Sequence, residues 1–310
     1  MPLQPMRRLT GWHLLSVGML RADDLLTDRA VSYADNGYLV VEDVLSGAEV
    51  EQLRHETAEI CRGHRGEVRG LQPMEEPDDD EVMRRYLCVH FPHKISDGMF
   101  AALSHPGVVD VLGELIGPNV KCMQSMLFIK HAGKPGQAWH QDEYFIPTRD
   151  RSLTGVWIAL DDARIDNGCL WVIPGSQKPG VLWRMRPHGR EGEFDEGHEA
   201  YGFPFDEATS VSCEVPAGGV VFFSGYLLHR SFRNRSNGFR RALVNHYMSA
   251  ESLLPWDWDG RLPLTRDNRD IVMVRGEDPY ASDGIQDFTF PFLRAESAED
   301  PNRDPAKTVF

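Results

Sequence analysis

The sequence lacks the features that identify several large classes of protein. Its five cysteines, at positions 61, 88, 122, 169 and 213, are scattered and contain no Cys-x-x-Cys pair. This pattern disfavours a disulfide scaffold or a cysteine-based zinc site and favours reduced thiols in the cytoplasm. No uninterrupted apolar run approaches the roughly 18 residues that span a bilayer. The HExxH, P-loop and G-x-S-x-G motifs are also absent, so zinc proteases, P-loop nucleotide hydrolases and α/β-hydrolases have no support.

Positive charge is scarce in this chain. The 310 residues include 33 Lys and Arg against 47 Asp and Glu, which leaves a formal net charge of −14. Part of the excess lies in an acidic cluster at 75–81. An acidic surface repels phosphate backbones and anionic lipids. We therefore expect neither nucleic acid nor a membrane as a partner, while the oligomeric state is left open.

Helical patterns occupy the first third of the chain. Helices are predicted at 25–35, which ends at Asn36-Gly37, at 46–61 behind the capping box Ser46-x-x-Glu49, and from Pro106 to the stop at 117–118. The acid- and glycine-rich stretch 62–81 is predicted to be a surface loop.

Short β-type runs follow residue 118. Strands are predicted after residue 118 near 120–130, 137–146, 154–161, 169–173, 211–215, 219–223, 226–232 and 240–249, and one earlier strand is predicted at 38–41. Asn167-Gly168 is interpreted as a hairpin turn, and 180–210 as a loop inserted over one end of the barrel.

Eight short strands after residue 118 predict a mainly β fold with flanking helices, a double-stranded β-helix barrel of the jelly-roll or cupin-like type. We predict one domain over 1–310. It has N-terminal helical elements at about 23–118, a barrel core at about 119–250 and a C-terminal extension at 251–310. The early helices are expected to pack outside one sheet.

The motif WHQD at 139–142 is the first candidate for chemistry. Residues i and i+2 of a strand share a face, so His140 and Asp142 are expected to project together. His229, on a later strand, is the natural third ligand of a two-histidine, one-carboxylate site, which holds Fe(II) and leaves positions open. About one His-x-Asp pair is expected by chance in such a chain, so the pair alone also fits polar residues facing solvent.

Arg240 strengthens this hypothesis. It begins the predicted strand 240–249, and a turn at 236–238 is expected to return that strand beside the one carrying His229. A guanidinium inside a barrel needs a carboxylate, and a ligand supplies it if the protein does not. The alternative is an arginine at the rim paired with a surface acid, which is how we interpret its neighbour Arg241.

Four motifs in order carry a resemblance to a known family. They are WHQD at 139–142, the segment 154–176, LLHRS at 227–231 and GFRR at 238–241. Together they resemble the phytanoyl-CoA dioxygenase family of Fe(II)/2-oxoglutarate oxygenases, strongly over about 119–250. The resemblance implies a jelly-roll enzyme that uses Fe(II), 2-oxoglutarate and O2.

The resemblance also implies roles for single residues. His140, Asp142 and His229 match the iron ligands, and Arg240 matches the residue that binds the distal carboxylate of 2-oxoglutarate. Ser231 and Trp157 fall where the family places a hydroxyl and an aromatic ring near this cosubstrate.

Four further residues are candidates with open alternatives. Gln124 is a polar contact to cosubstrate or substrate, or else an outward-facing strand residue. Tyr144 lines the substrate pocket or packs in the core. Arg184 and Arg186 belong to a lid that meets an acidic substrate, or pair with the acids at 191–199.

The function implied is a dioxygenase that hydroxylates an aliphatic carbon of a small-molecule metabolite and converts 2-oxoglutarate to succinate and CO2. The alternatives are a protein of the same fold that binds a metal or ligand without turnover, or a related oxidative outcome such as desaturation, epoxidation or epimerisation. The acidic charge weakens a literal reading of the coenzyme A ester in the family name.

Overall fold

Seven strands are hydrogen-bonded side by side in the largest sheet of the computed structural model, which describes residues 27–73, 78–253 and 270–294. The helices of these residues are α1 (Asp28–Asn36), α2 (Gly47–Arg62), α3 (Asp79–Met83), α4 (Asp97–Leu103) and α5 (Pro106–Leu115). The strands are β1 (Tyr38–Val41), β2 (Cys88–His90), β3 (Val120–Lys130), β4 (Gln137–His140), β5 (Thr154–Ala159), β6 (Leu170–Val172), β7 (Arg184–Pro187), β8 (His198–Tyr201), β9 (Val211–Cys213), β10 (Val220–Ser224), β11 (His229–Ser231), β12 (Arg240–Ser249), β13 (Val272–Arg275) and β14 (Phe292–Arg294).

Two antiparallel sheets form the barrel. The large sheet has the order β1-β10-β5-β12-β3-β2-β14, with β13 also paired to β3. The small sheet has the order β4-β11-β6-β9, and β7 and β8 form a separate hairpin. This architecture confirms the predicted jelly-roll fold with flanking helices.

The core is divided by the large sheet. On its outer side, Val50 of α2, Met99 of α4 and Leu112 of α5 pack with Leu127 and Leu243 from the strands. On its inner side a second cluster, which includes Phe128, Trp157 and Val244, joins residues of the small sheet. The helices therefore lie outside one sheet, as predicted, and the site lies between the two sheets.

The predicted helix ends are borne out by local chemistry. Ser46 and Glu49 form the reciprocal capping box at the start of α2, and Gly37 ends α1 in the left-handed conformation at φ 81°.

The stretch Asp97–Ile116 is helical and apolar enough, by length and composition, to be considered as a membrane span. It is nevertheless broken at 104–105 into helices of 7 and 10 residues. At about 1.5 Å per residue, neither reaches across a hydrocarbon core of about 30 Å.

Several boundaries and connections differ from the predictions. The strand predicted at 137–146 ends at His140, and a 3₁₀ turn occupies Asp142–Tyr144. Asn167-Gly168 is a turn, but not a hairpin turn, because β5 lies in the large sheet and β6 in the small one. Likewise β12 does not pair with β11; the two strands belong to different sheets.

Some elements were not predicted at all. The stretch 180–210 carries the β7–β8 hairpin, and part of the predicted loop 62–81 forms α3, while 74–77 lies outside the described residues. Strands β2 and β14 are three residues each, and they pair with each other across about 200 positions of the chain. Segments this short show no periodicity in the sequence, so they could not be predicted. They are strands because each pairs with the other in the folded chain.

Candidate active site

Three side chains that could hold a metal ion meet on the inner face of the small sheet. His140 on β4 and His229 on β11 are cross-strand partners, with ring centroids 4.1 Å apart. Asp142 follows the extended residue Gln141. Its Oδ1 lies 3.6 Å from Nε2 of His140 and 3.5 Å from Nε2 of His229. The three groups converge as predicted, although Asp142 reaches them from a 3₁₀ turn rather than from a strand.

Both histidines are held with one ring nitrogen free for a ligand bond. Nδ1 of His140 lies 2.7 Å from the carbonyl of Ala138, and Nδ1 of His229 lies 2.9 Å from the carbonyl of Leu227. A carbonyl only accepts, so we assign the proton to Nδ1 and the lone pair to Nε2. Burial and the neighbouring His229 lower the pKa of His140 to about 3. The ring is therefore neutral near pH 7, as a metal ligand must be.

Asp142 is held as a carboxylate by a third histidine. Its Oδ2 accepts a hydrogen bond from Nε2 of His246 on β12, at 3.0 Å. Burial by itself raises the pKa of Asp142, but the nearby His229 and His246 outweigh it and hold that pKa well below its usual range. One oxygen is thus occupied by His246 and the other points at the two Nε2 atoms.

The donor set fits a divalent metal. The ligand atoms of His140, Asp142 and His229 all lie within 4.8 Å of one another, and all three residues are buried. Two imidazole nitrogens and one carboxylate oxygen on one side of an ion match the facial arrangement that holds Fe(II) and leaves the opposite positions open.

Packing behind the site restricts the ring of His229. The ring of Phe223, on β10, lies 4.6 Å from it. Phe223 faces Gly155 across the sheet, and a Cβ at position 155 would lie 2.3 Å from the Phe223 ring. The glycine is therefore what allows Phe223 to lie against the histidine.

A buried arginine lies at the other end of the barrel interior. Arg240 begins β12 and is 2 % exposed. Its Nε donates to the carbonyl of Gly168 at 3.1 Å, and its guanidinium lies 5.3 Å from the ring centre of Trp157. Its Nη1 has no hydrogen-bond partner among the residues that the structure describes. Among the described residues, no carboxylate lies within ion-pair distance of it. Burial lowers the pKa of Arg240 to about 10. Such a group fits the carboxylate of a ligand.

A second buried cation, which the sequence analysis missed, lies beside it. Lys130 on β3 is the cross-strand partner of Arg240 and is 1 % exposed. Its Nζ donates to Oγ of Ser231 at 3.2 Å and to the carbonyl of Phe232 at 2.6 Å. Burial and the charge of Arg240 hold the pKa of Lys130 well below its usual range. Alternation along β3 was the signal available for finding it, because residues 124, 126, 128 and 130 share one face.

Ser231 connects the two ends of the site. It lies two residues beyond His229 on β11, about 7 Å along the strand, and contacts Lys130 at the Arg240 end. The predicted cosubstrate residues Ser231, Trp157 and Arg240 are therefore brought together with the candidate metal ligands in one interior. Their contacts with a cosubstrate stay a prediction.

Gln124 faces the interior at the end of the barrel near the candidate metal ligands. It is the cross-strand partner of His246, and its Nε2 lies 3.1 Å from Nδ1 of His90. The ring of His90 is stacked on Phe292 of β14, with centroids 4.3 Å apart. Gln124, His90 and Phe292 thus form a polar and aromatic wall, to which the C-terminal segment contributes a ring. The outward-facing alternative for Gln124 is wrong, while its contact with a ligand stays a prediction.

Tyr144 does not share the inner face with His140 and Asp142. Because the strand ends at His140, Tyr144 falls on the 3₁₀ turn and is 43 % exposed. The ring next to His140 is instead that of Phe145, at 6.3 Å. The core-packing alternative for Tyr144 is excluded by the same exposure.

Arg184 and Arg186 also lie away from the site. They are exposed residues of β7, whose intervening residue Met185 packs with Trp139 and Leu228 on the outer face of the small sheet. Nε of Arg186 is 3.0 Å from Glu199, which is the predicted pairing with the acids at 191–199. The lid interpretation is corrected because the hairpin covers the back of the small sheet and not its inner face.

Comparisons with known proteins agree with this geometry. The family model described as "Phytanoyl-CoA dioxygenase (PhyH)" matches residues 33–242. "Phytanoyl-CoA dioxygenase 1" of Oryza sativa subsp. japonica is 33 % identical over 257 residues, which cover 73 % of this chain and 90 % of that protein.

Two solved structures show the same fold. The non-heme monooxygenase ThoJ, without ligand, has a TM-score of 0.64 at 22 % identity and covers 88 % of this chain and 90 % of its own. The epimerase SnoN, in complex with Fe3+, alpha ketoglutarate and nogalamycin RO, has a TM-score of 0.56 at 19 % identity, covering 77 % of this chain and 92 % of its own.

Proposed function

The chain belongs to the phytanoyl-CoA dioxygenase family, and on that premise we propose that it hydroxylates an aliphatic carbon of a small-molecule metabolite. The reaction consumes O2 and converts 2-oxoglutarate to succinate and CO2. The observation that carries this proposal is the pairing, in one barrel interior, of a buried His140–Asp142–His229 cluster with the buried Arg240, which has no carboxylate partner among the described residues.

His140, Asp142 and His229 are assigned to Fe(II), with the two Nε2 atoms and Oδ1 as donors. Bound there, the iron supplies the activation of O2 and the oxidative power that no protein side chain has. Oδ2 of Asp142 stays on His246, so the carboxylate offers one oxygen to the metal. The protein thereby leaves positions open for 2-oxoglutarate and O2.

Arg240 is assigned to the distal carboxylate of 2-oxoglutarate. Within the described residues its Nη1 is a free donor and no carboxylate opposes its charge, and Trp157 limits where the guanidinium can move. Ser231, between Arg240 and the candidate metal ligands, adds a hydroxyl. A cosubstrate held in this way would have its keto end on the side of His140, Asp142 and His229, and burial of these residues excludes water.

The primary substrate is assigned to the wall formed by Gln124, His90 and Phe292, next to His246. This wall carries an amide and aromatic rings. The exposed arginines of β7, which are the basic group suited to coenzyme A phosphates, lie behind the small sheet. A small metabolite is therefore favoured over a coenzyme A ester.

Two further properties belong to the same proposal. We propose a single domain, supported by β13 and β14, which lie beyond the family match and pair with β3 and β2. We propose a cytoplasmic location, supported by five cysteines that are all buried, free thiols.

The test is a panel of candidate metabolites incubated with the purified chain, Fe(II), 2-oxoglutarate and labelled O2, with succinate and product mass as readouts. Substrate-dependent succinate together with one labelled oxygen atom in the product supports hydroxylation. A product that has lost two hydrogens would show that the reaction is a desaturation. A product that has changed only in configuration would show that it is an epimerisation, and SnoN is an epimerase with the same fold. Fe(II) binding without any 2-oxoglutarate binding overturns the proposal in favour of a metal-binding protein. Arg240→Met should lose succinate formation, and Arg241→Met, on the outer side of β12, is its matched control and should keep it.

A further inference from the structure

Lys130 is placed where stability alone gives no reason for a cation. It is buried directly opposite Arg240 on the neighbouring strand. Among the described residues, no carboxylate lies within ion-pair distance of its amine. Like charges on directly opposed strand positions repel, and a buried charge without an opposite charge is costly. An anionic ligand offsets both costs, and Arg240 alone already provides the charge for one carboxylate.

The Ser231 hydroxyl accepts two hydrogen bonds, one of them from Lys130. Its Oγ accepts from Nζ of Lys130 at 3.2 Å and from the backbone N–H of Gln137 at 3.3 Å. A hydroxyl has two lone pairs and one hydrogen. Both lone pairs are therefore occupied, and in the part of the chain that the structure describes no group accepts the hydrogen. The hydroxyl is left as a donor directed at whatever enters the barrel.

Gly168 lies next to both Arg240 and Lys130. Its carbonyl accepts from Nε of Arg240. A Cβ at position 168 would lie 3.0 Å from Nζ of Lys130 and 2.3 Å from the carbonyl oxygen of Phe232, the same oxygen that receives the lysine's second hydrogen bond. The glycine's φ of 81° is also one that other residues rarely adopt. The absence of a side chain there lets the amine settle between Ser231 and Phe232.

We propose that Lys130 is a positioning residue that makes the Ser231 hydroxyl a hydrogen-bond donor to the distal carboxylate of 2-oxoglutarate. The inference rests on the proposed function and deepens it. Lys130 acts through Ser231: its amine takes one lone pair of Oγ and so prevents the hydroxyl from turning to accept a bond from the ligand side. Arg240 supplies charge, and Ser231 supplies a directed donor.

The experiment compares two 2-keto acids on the full chain loaded anaerobically with Fe(II). 2-Oxoglutarate carries the distal carboxylate and 2-oxobutyrate does not, and chelation of each is followed by its visible charge-transfer absorption. In Lys130→Met we expect affinity for 2-oxoglutarate to fall about 10-fold or more, the value of one hydrogen bond to a charged group. Affinity for 2-oxobutyrate should not change. In a Ser231→Ala background, Lys130→Met should lower the affinity for 2-oxoglutarate by less than a further twofold, because the hydroxyl that Lys130 orients is gone.

The matched control is Lys121→Met, the same replacement of a buried lysine on the same strand, nine positions away. It should leave the ratio of the two affinities unchanged. Unchanged 2-oxoglutarate affinity in Lys130→Met, equal weakening of both keto acids, or full additivity with Ser231→Ala each overturns the inference. If Lys130→Met does not fold, Ser231→Ala alone decides: selective loss of 2-oxoglutarate affinity supports the inference, and unchanged affinity overturns it. Wild-type chain that binds no 2-oxoglutarate overturns the proposed function instead, so the two failures are distinguishable.

Discussion

Replacing Arg240 by methionine should stabilise the ligand-free protein while abolishing its response to 2-oxoglutarate. The guanidinium is buried beside Lys130, and no carboxylate in the described part of the chain pairs with it. Burial lowers its pKa from 12.5 to about 10. Since a tenfold change in acid dissociation corresponds to about 1.4 kcal/mol, the charged form costs the fold about 3 kcal/mol. The variant also loses the hydrogen bond to Gly168 and the contact with Trp157, which lowers its stability by about 1–2 kcal/mol. We expect a net gain of about 1–2 kcal/mol in the free energy of unfolding.

The assay is urea unfolding of the Mn(II)-loaded chain, with and without saturating 2-oxoglutarate. Wild type should gain about 2.7 kcal/mol when the ligand is present at 100 times its Kd, because binding to the folded state alone stabilises it by that amount. Arg240→Met should have the higher free energy of unfolding without ligand and should gain almost nothing when 2-oxoglutarate is added. The order of stability of the two proteins therefore reverses when the ligand is present.

The matched control for this experiment is Arg241→Met. Arg241 is the next residue of β12, faces the helices, and pairs with Asp161 through Nε and Nη2 at 2.8 and 2.7 Å. Its replacement leaves Asp161 with weaker compensation, so stability should fall while the response to 2-oxoglutarate stays. A less stable ligand-free Arg240→Met would refute the reasoning, because it would mean that the buried guanidinium is net favourable without a ligand.

Three further predictions concern side chains that support the site or the fold around it. His246→Leu should weaken Mn(II) binding about 10- to 100-fold, measured by calorimetry, with partial recovery in His246→Gln, because the bond to Oδ2 of Asp142 orients the carboxylate; equal affinities in all three proteins would contradict this. Gly155→Ala should lower the free energy of unfolding by about 1–3 kcal/mol in denaturant titrations, since its Cβ would clash with Phe223. A neutral result would mean that the ring can move away. His93 has its pKa lowered to about 4 by burial, beside Lys94, so the unfolded chain binds its proton first between pH 6.5 and 4. His93 should therefore account for about 2 kcal/mol of the stability lost between pH 7 and pH 5. His93→Gln should reduce that loss by the same amount in urea titrations at the two pH values, and an unchanged loss would contradict this.

Local chemistry was enough to predict part of this protein. The capping box at Ser46 and the left-handed Gly37 depend on residues a few positions apart, and both are present. The four motifs in order also indicated the family and the jelly-roll fold. His140 and Asp142 came together because Gln141 between them is extended, which holds even though the strand ends there.

Contacts between distant parts of the chain decided the rest. Strands β2 and β14 exist because each is the other's partner, and Phe292 reaches the interior only through that pairing. The β7 arginines looked suited to a substrate until the packing of Met185 placed their hairpin behind the small sheet. Lys130 is one lysine among the chain's charged residues by sequence alone. It is a buried cation because β3 and β12 align it with Arg240, and burial, which depends on the whole fold, gives its amine a role.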